Sequence, residues 1–141
     1  MKNYLVFPAF MALGFASFAP LAQAGELTVS ITNIRTDKGT LLVSVTNTEA
    51  GWNNQEKPVA AAKVAATGKD AVLHFTLPAG SYAVQVMHDE NDNGKLDANF
   101  MGIPTEGYGF SNNPQVMRRA HFSEAKFEVA DGASSIVINL R

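Results

Sequence analysis

The residues best equipped for chemistry lie together at 88–97: His88-Asp89-Glu90-Asn91-Asp92-Asn93-Gly94-Lys95-Leu96-Asp97. Oxygen-bearing side chains alternate at Asp89, Asn91 and Asn93, a glycine follows at Gly94, and a further carboxylate stands at Asp97. This is the order of the first nine positions of an EF-hand-type calcium loop: side-chain ligands at 1, 3 and 5, a sharp turn at 6, the backbone carbonyl of Lys95 at 7, and an acid at 9. Four carboxylates against one lysine within nine residues repel one another, and a cation would neutralise them. The loop departs from a complete EF-hand at position 12, where a bidentate glutamate is replaced by Phe100, and no helix pattern flanks it. Asn99 and Glu106 are the candidates for a closing ligand. A site without that acid is expected to hold calcium weakly, with a dissociation constant on the order of 10⁻⁴–10⁻³ M.

Other candidate groups are sparser. His74, His88 and His121 are the only histidines and the only side chains that change charge near neutrality. His88 alternates with Tyr82, Val84 and Val86, which favours a hydrogen-bonded core histidine; a hydrolase using His88 with Asp89 or Glu106 is the lesser alternative. No nucleophile elbow, zinc-protease helix or phosphate loop occurs. Tyr108, Phe110 and Asn112 lie in a Gly- and Asn-rich stretch, and Trp52 is the single tryptophan. If exposed together, these four would form a surface for a glycan or an exported protein partner.

The elements that must hold these groups read as strands. Apolar residues alternate with polar ones at Leu27, Val29 and Ile31, at Leu41, Val43 and Val45, at Leu73, Phe75 and Leu77, and at Tyr82, Val84 and Val86. Phe127 and Val129 precede an Asp131-Gly132 turn, and Ile136, Ile138 and Leu140 follow it. The alanine-rich piece from Val59 to Ala66 reads as a further strand. About seven short strands predict an all-β sandwich. The calcium-type loop would begin where a central strand ends. From Glu90 to Glu124 no strand period is visible, which predicts one long loop, ordered by its aromatic residues.

At the N-terminus, Lys2, an apolar run from Tyr4 to Pro20 and the small-x-small triplet Ala22-Gln23-Ala24 predict a signal peptide over residues 1–24. The remaining 141 − 24 = 117 residues make one domain, 25–141, with 10 basic and 13 acidic side chains. A net charge near −3 with no basic stripe argues against nucleic acid or an anionic membrane as partner. The run is broken by Pro8, a poor transmembrane span. With no cysteine, disulfides and thiolate chemistry are excluded. A periplasmic or secreted protein is expected.

Three longer strings carry a resemblance: Leu77-Pro78-Ala79-Gly80-Ser81-Tyr82-Ala83-Val84, the segment 88–97, and Gly102-Ile103-Pro104-Thr105-Glu106-Gly107-Tyr108-Gly109-Phe110-Ser111-Asn112-Asn113. On these the chain resembles the exported bacterial domain-of-unknown-function 2141 family, across the whole segment after the leader. The resemblance implies no activity and no catalytic residue. Its Leu-Pro-x-Gly-x-Tyr turn is similar to that of transthyretin-like and carboxypeptidase-regulatory-like sandwiches, which implies an Ig-like or prealbumin-like fold by analogy. The stretch Pro114-Gln115-Val116-Met117-Arg118-Arg119 departs from the glycine-rich sequence expected there.

Overall fold

The computed structural model describes residues 24–141; the leader expected over 1–24 lies outside these, apart from Ala24. Where apolar residues fall at every second position, the chain forms strands whose alternate side chains turn to one interior. In chain order the elements are β1 (Ala24–Thr32), β2 (Thr40–Thr46), α1 (Glu49–Trp52), β3 (Ala60–Ala65), β4 (Ala71–Pro78), β5 (Gly80–Asp89), β6 (Gly107–Phe110), α2 (Phe122–Ala125), β7 (Phe127–Val129) and β8 (Ala133–Asn139). They form two sheets: β4-β1-β8, and β3-β2-β5-β6 with β7 also paired to β5. Pairing is antiparallel except between β1 and β8, which run parallel from Glu26 opposite Ala133 to Thr32 opposite Asn139.

The core lies between the sheets. Leu27, Val29 and Ile31 of β1 and Leu73, Phe75 and Leu77 of β4 meet Leu41, Val43 and Val45 of β2 and Val84 and Val86 of β5 in one buried cluster. A second cluster sits outside the larger sheet, where Trp52, Ala83, Phe110, Ala120 and Ala125 are buried together. Trp52 belongs to the short helix α1, capped by the Thr48 hydroxyl, which accepts from the Gly51 N–H.

The strand expected over the alanine-rich piece is β3. The long loop, however, is interrupted: one strand beyond the seven expected, β6, falls inside the segment in which no strand period is visible. The reason is local. Across β5 the register sets Gly107 opposite His88 and Gly109 opposite Val86, so glycine occupies the inward positions that a periodicity reading expects to be apolar. A β-carbon on Gly109 would stand 2.7 Å from Ile138 Cγ2 and 3.1 Å from the Asn139 carbonyl. The absent side chains let β6 lie against β8, and Tyr108 and Arg141 exchange backbone hydrogen bonds along its outer edge.

The registers also fix two cross-strand rows on the outward face of the larger sheet. Lys63, Leu42, Met87 and Tyr108 stand side by side, and beside them run Ala61, Ser44, Gln85 and Phe110. Among the described residues no helix is long and apolar enough to cross a membrane.

Candidate functional site

Asp89 ends β5 and is paired with Thr40 at the start of β2. The base of the loop is fixed there by close approach: a β-carbon on Gly39 would lie 2.0 Å from the Asp89 carbonyl oxygen, and Gly39 adopts a left-handed φ of +73°. The chain then folds on its own polar side chains. Asp89 Oδ1 accepts from the Asn93 N–H at 3.0 Å and Oδ2 from the Gly94 N–H at 2.7 Å. Asn91 Oδ1 accepts from the Asn93 N–H and Asn93 Oδ1 from the Lys95 N–H, at 3.1 and 2.8 Å, the local turn chemistry expected of Asn. Asp92 and Gly94 take left-handed φ values of 58° and 77°.

Three of these side chains, Asn91, Asn93 and Asp97, meet. Asn91 Nδ2 donates to Asp97 Oδ2 at 2.6 Å, and Asn93 Nδ2 donates to both Asp97 oxygens at 3.1 and 2.9 Å. The other acids of the segment find separate partners. Glu90 Oε1 accepts from Arg35 at 2.6 Å, and Asp92 Oδ1 accepts from the Thr40 hydroxyl at 2.5 Å. Repulsion among the four carboxylates is thus already divided between an arginine, a hydroxyl, side-chain amides and backbone N–H groups. Among the described residues no three His, Asp or Glu side chains cluster as a metal-holding group; the oxygens on offer are two carboxylates, two amides and a backbone carbonyl.

Of the two closing candidates, Asn99 is engaged elsewhere. Its Oδ1 accepts from the Met101 and Ile103 N–H groups at 2.9 and 3.1 Å and shapes the next turn, closed by the Ala98–Pro104 bridge. Phe100, at position 12, projects into solvent at 96% exposure. Glu106 is buried, and its two carboxylate oxygens accept from the Glu90 N–H at 2.9 Å and the Asp97 N–H at 2.8 Å. It therefore ties the entry of the loop to its exit through backbone hydrogen bonds. A sequence reading finds Glu106 only as a possible ligand, because these partners are 16 and 9 residues distant.

The histidines separate. His88 is fully buried on the core side of β5 and its Nε2 lies 2.8 Å from the Lys38 carbonyl; Nδ1 has no hydrogen-bond partner and lies 3.9 Å from Glu90 Oε1. Adjacent strand residues point to opposite faces, so Asp89 turns away from His88 and the two do not form a pair. His74 is exposed beside Thr28 and Glu26 on the other sheet. The His121 N–H opens α2 by donating to Glu124 Oε2.

Trp52, Tyr108, Phe110 and Asn112 do not form the single exposed surface expected of them. Trp52 is 1% exposed and Phe110 7%; Trp52 packs at 5.7 Å on Phe110 and 6.3 Å on Phe122, and its Nε1 donates to the Ala120 carbonyl. The Asn112 amide donates to the Glu124 and Lys126 carbonyls. Arg119, from the divergent stretch, covers Trp52 at 5.5 Å and donates to the Trp52 carbonyl and to Gln85 Oε1; burial lowers its pKa. Beside it Arg118 makes two 2.8 Å bonds to Glu124, and with the His121 N–H it holds the Glu124 carboxyl down to about 2.

The family model described as "Uncharacterized protein conserved in bacteria (DUF2141)" matches residues 29–137. No curated protein matches the chain, and no solved structure does.

Proposed function

We propose, for a chain that belongs to the bacterial family DUF2141, the role of an exported, non-enzymatic β-sandwich module whose Asp89–Glu106 loop takes up calcium. The observation that carries this reading is the convergence of Asn91 and Asn93 on the Asp97 carboxylate, with Asp89 closing the same turn through Asn93 and Gly94. Side chains at loop positions 3, 5 and 9 thereby meet, and the side chain at position 1 holds the backbone of the same turn. Calcium prefers oxygen ligands in flexible sets of six to eight. An ion here would draw on the carboxylates of Asp89 and Asp97, the amide oxygens of Asn91 and Asn93 after rotation, and the Lys95 carbonyl, with water completing the shell.

The amide–carboxylate bonds hold the loop without an ion, so calcium adds to an existing fold rather than creating one. With affinity in the range of extracellular modules, a tenfold excess over the dissociation constant stabilises by about 1.4 kcal/mol. For a domain of this size that raises the melting midpoint by roughly 4–8 °C. Melting in 10 mM calcium and in chelator is the test, with Asp97→Asn as the variant expected to lose the response. Equal midpoints in the two buffers would refute calcium uptake. Export is tested separately, by intact mass of the protein recovered from the periplasm or medium, where loss of residues 1–24 is expected.

A further inference from the structure

The two outer faces of the sandwich differ in chemistry. On the smaller sheet most outward positions are polar, Glu26, Thr28, Ser30, His74 and Thr76, with the exposed Val72 and Val137 on either side of Ser30. On the larger sheet the corresponding rows carry Leu42, Met87, Tyr108 and Phe110, with only the uncharged Ser44 and Gln85 between them. These rows floor a groove of about 960 Å³, the size of a small-molecule site. Beyond Met87 it is walled by Leu96 and Pro104 of the loop, and beyond Gln85 by Met117 and Arg119. Leu96 is 37% exposed and Met117 fully so, so apolar surface continues onto the rim.

Charge in the groove has one sign. Lys63, Arg118 and Arg119 line it, and none of its described lining residues is acidic, although the whole chain is net negative at −2. Arg118 is neutralised by Glu124. Lys63 makes no ion pair among the described residues, and it ends the row Lys63, Leu42, Met87, Tyr108. Neighbouring strands are about 4.8 Å apart, so the row spans roughly 14 Å from the backbone of β3 to that of β6, comparable to an extended alkyl chain of roughly a dozen carbons.

We propose that this groove binds a single-chain amphiphilic anion, with its acidic head at Lys63 and its alkyl chain lying across Leu42, Met87 and Tyr108. The apolar row supplies contact area and the free ammonium selects the head group. With Lys63, Arg118 and Arg119 as its only charged lining residues, the groove disfavours a cationic amphiphile. Neither contact uses the calcium-type loop's oxygens, so the binding stands or falls without the ion.

The probe is dodecanoate, titrated calorimetrically below its micelle concentration in chelator-containing buffer, with dodecyltrimethylammonium as the charge control. One-to-one saturable binding of dodecanoate is expected, with the cation at least about tenfold weaker. Lys63→Glu, on an exposed strand position, turns attraction into repulsion and should weaken dodecanoate about tenfold. Met87→Glu places a carboxylate on the floor and should abolish binding. Should its melting curve show a loss of fold, Ser44→Glu in the adjacent row makes the same test. Absence of saturable binding, equal affinity for the two amphiphiles, or unchanged affinity in folded Met87→Glu or Ser44→Glu protein would each overturn the proposal.

Discussion

Removal of the Glu106 carboxylate is the most direct probe of how the loop is held. In Glu106→Ala the Glu90 and Asp97 N–H groups lose their acceptors at 2.9 and 2.8 Å. Hydrogen bonds to a charged group contribute roughly 1.5–3 kcal/mol each. Both donors belong to half-buried residues, so water recovers part of the loss and the low end applies, about 3 kcal/mol in all. Relief of repulsion from the neighbouring acids works in the opposite direction. The neighbouring acids are already engaged by Arg35, the Thr40 hydroxyl and the loop amides, which holds that term to about 1 kcal/mol, so the hydrogen bonds win. A net loss of 2–3 kcal/mol lowers the melting midpoint by roughly 8–15 °C for a domain of this size. Glu106→Gln keeps one acceptor oxygen and should lose about half as much. Calorimetric melting gives the magnitude, and amide hydrogen exchange at Glu90 and Asp97 gives the location, with faster exchange expected at both. If Glu106→Ala melts within about 3 °C of the parent and both amides keep their protection, Glu106 does not hold the loop.

Glycines in and around the loop should separate by surroundings. Gly39→Ala drives a β-carbon onto the Asp89 carbonyl at 2.0 Å and is expected to cost more than 3 kcal/mol by denaturant melting, whereas Gly94→Ala meets open space and bears only the left-handed backbone cost, about 1–2 kcal/mol. Gly109→Ala, 2.7 Å from Ile138 Cγ2, should cost about 1–3 kcal/mol through overpacking between β6 and β8; a neutral result would mean that β6 is not pressed against β8. Glu124, held by Arg118 at about 2 against 4.5 for the free group, stabilises the fold fully above pH 4.5, and its contribution is lost as pH falls through about 2. An NMR carboxyl titration should show that low midpoint, moving upward in Arg118→Ala; a parent midpoint near 4.5 would remove the clamp from the account.

What could be read from the sequence follows from the range of the interactions. β1, β2, β4 and β5 are legible because each places apolar residues at every second position, and burial follows that period. β6 is not, because Gly107 and Gly109 fill its inward places. The order of Asp89, Asn91, Asn93 and Asp97 is legible because Asx turns and short amide–carboxylate bonds are local. The ion pair of Glu90 with Arg35 and the hydrogen bond to Asp92 from Thr40 are not, since those partners come from 55 and 52 residues away. Burial of Trp52 depends on Ala120 and Phe122, 68 and 70 residues later, and on Arg119 from the stretch that departs from the expected pattern. The groove was hidden because it arises only when β3, β2, β5 and β6 are set side by side.

The parallel pairing of β1 with β8 bears on how the domain assembles. Each residue from Glu26 to Thr32 of β1 meets a partner 107 positions later, as Thr32 meets Asn139, so the smaller sheet closes only after nearly the whole described chain has been gathered in. Contacts of such sequence separation place folding in the slow, millisecond-to-second regime of high contact order. The β5–β6 pair, with the acidic loop between its strands, is short-range by comparison and can form while β1 still lacks its second neighbour. A newly made chain would then expose one side of β1 for longest, and the speed with which β8 arrives would decide between closure and association with another chain.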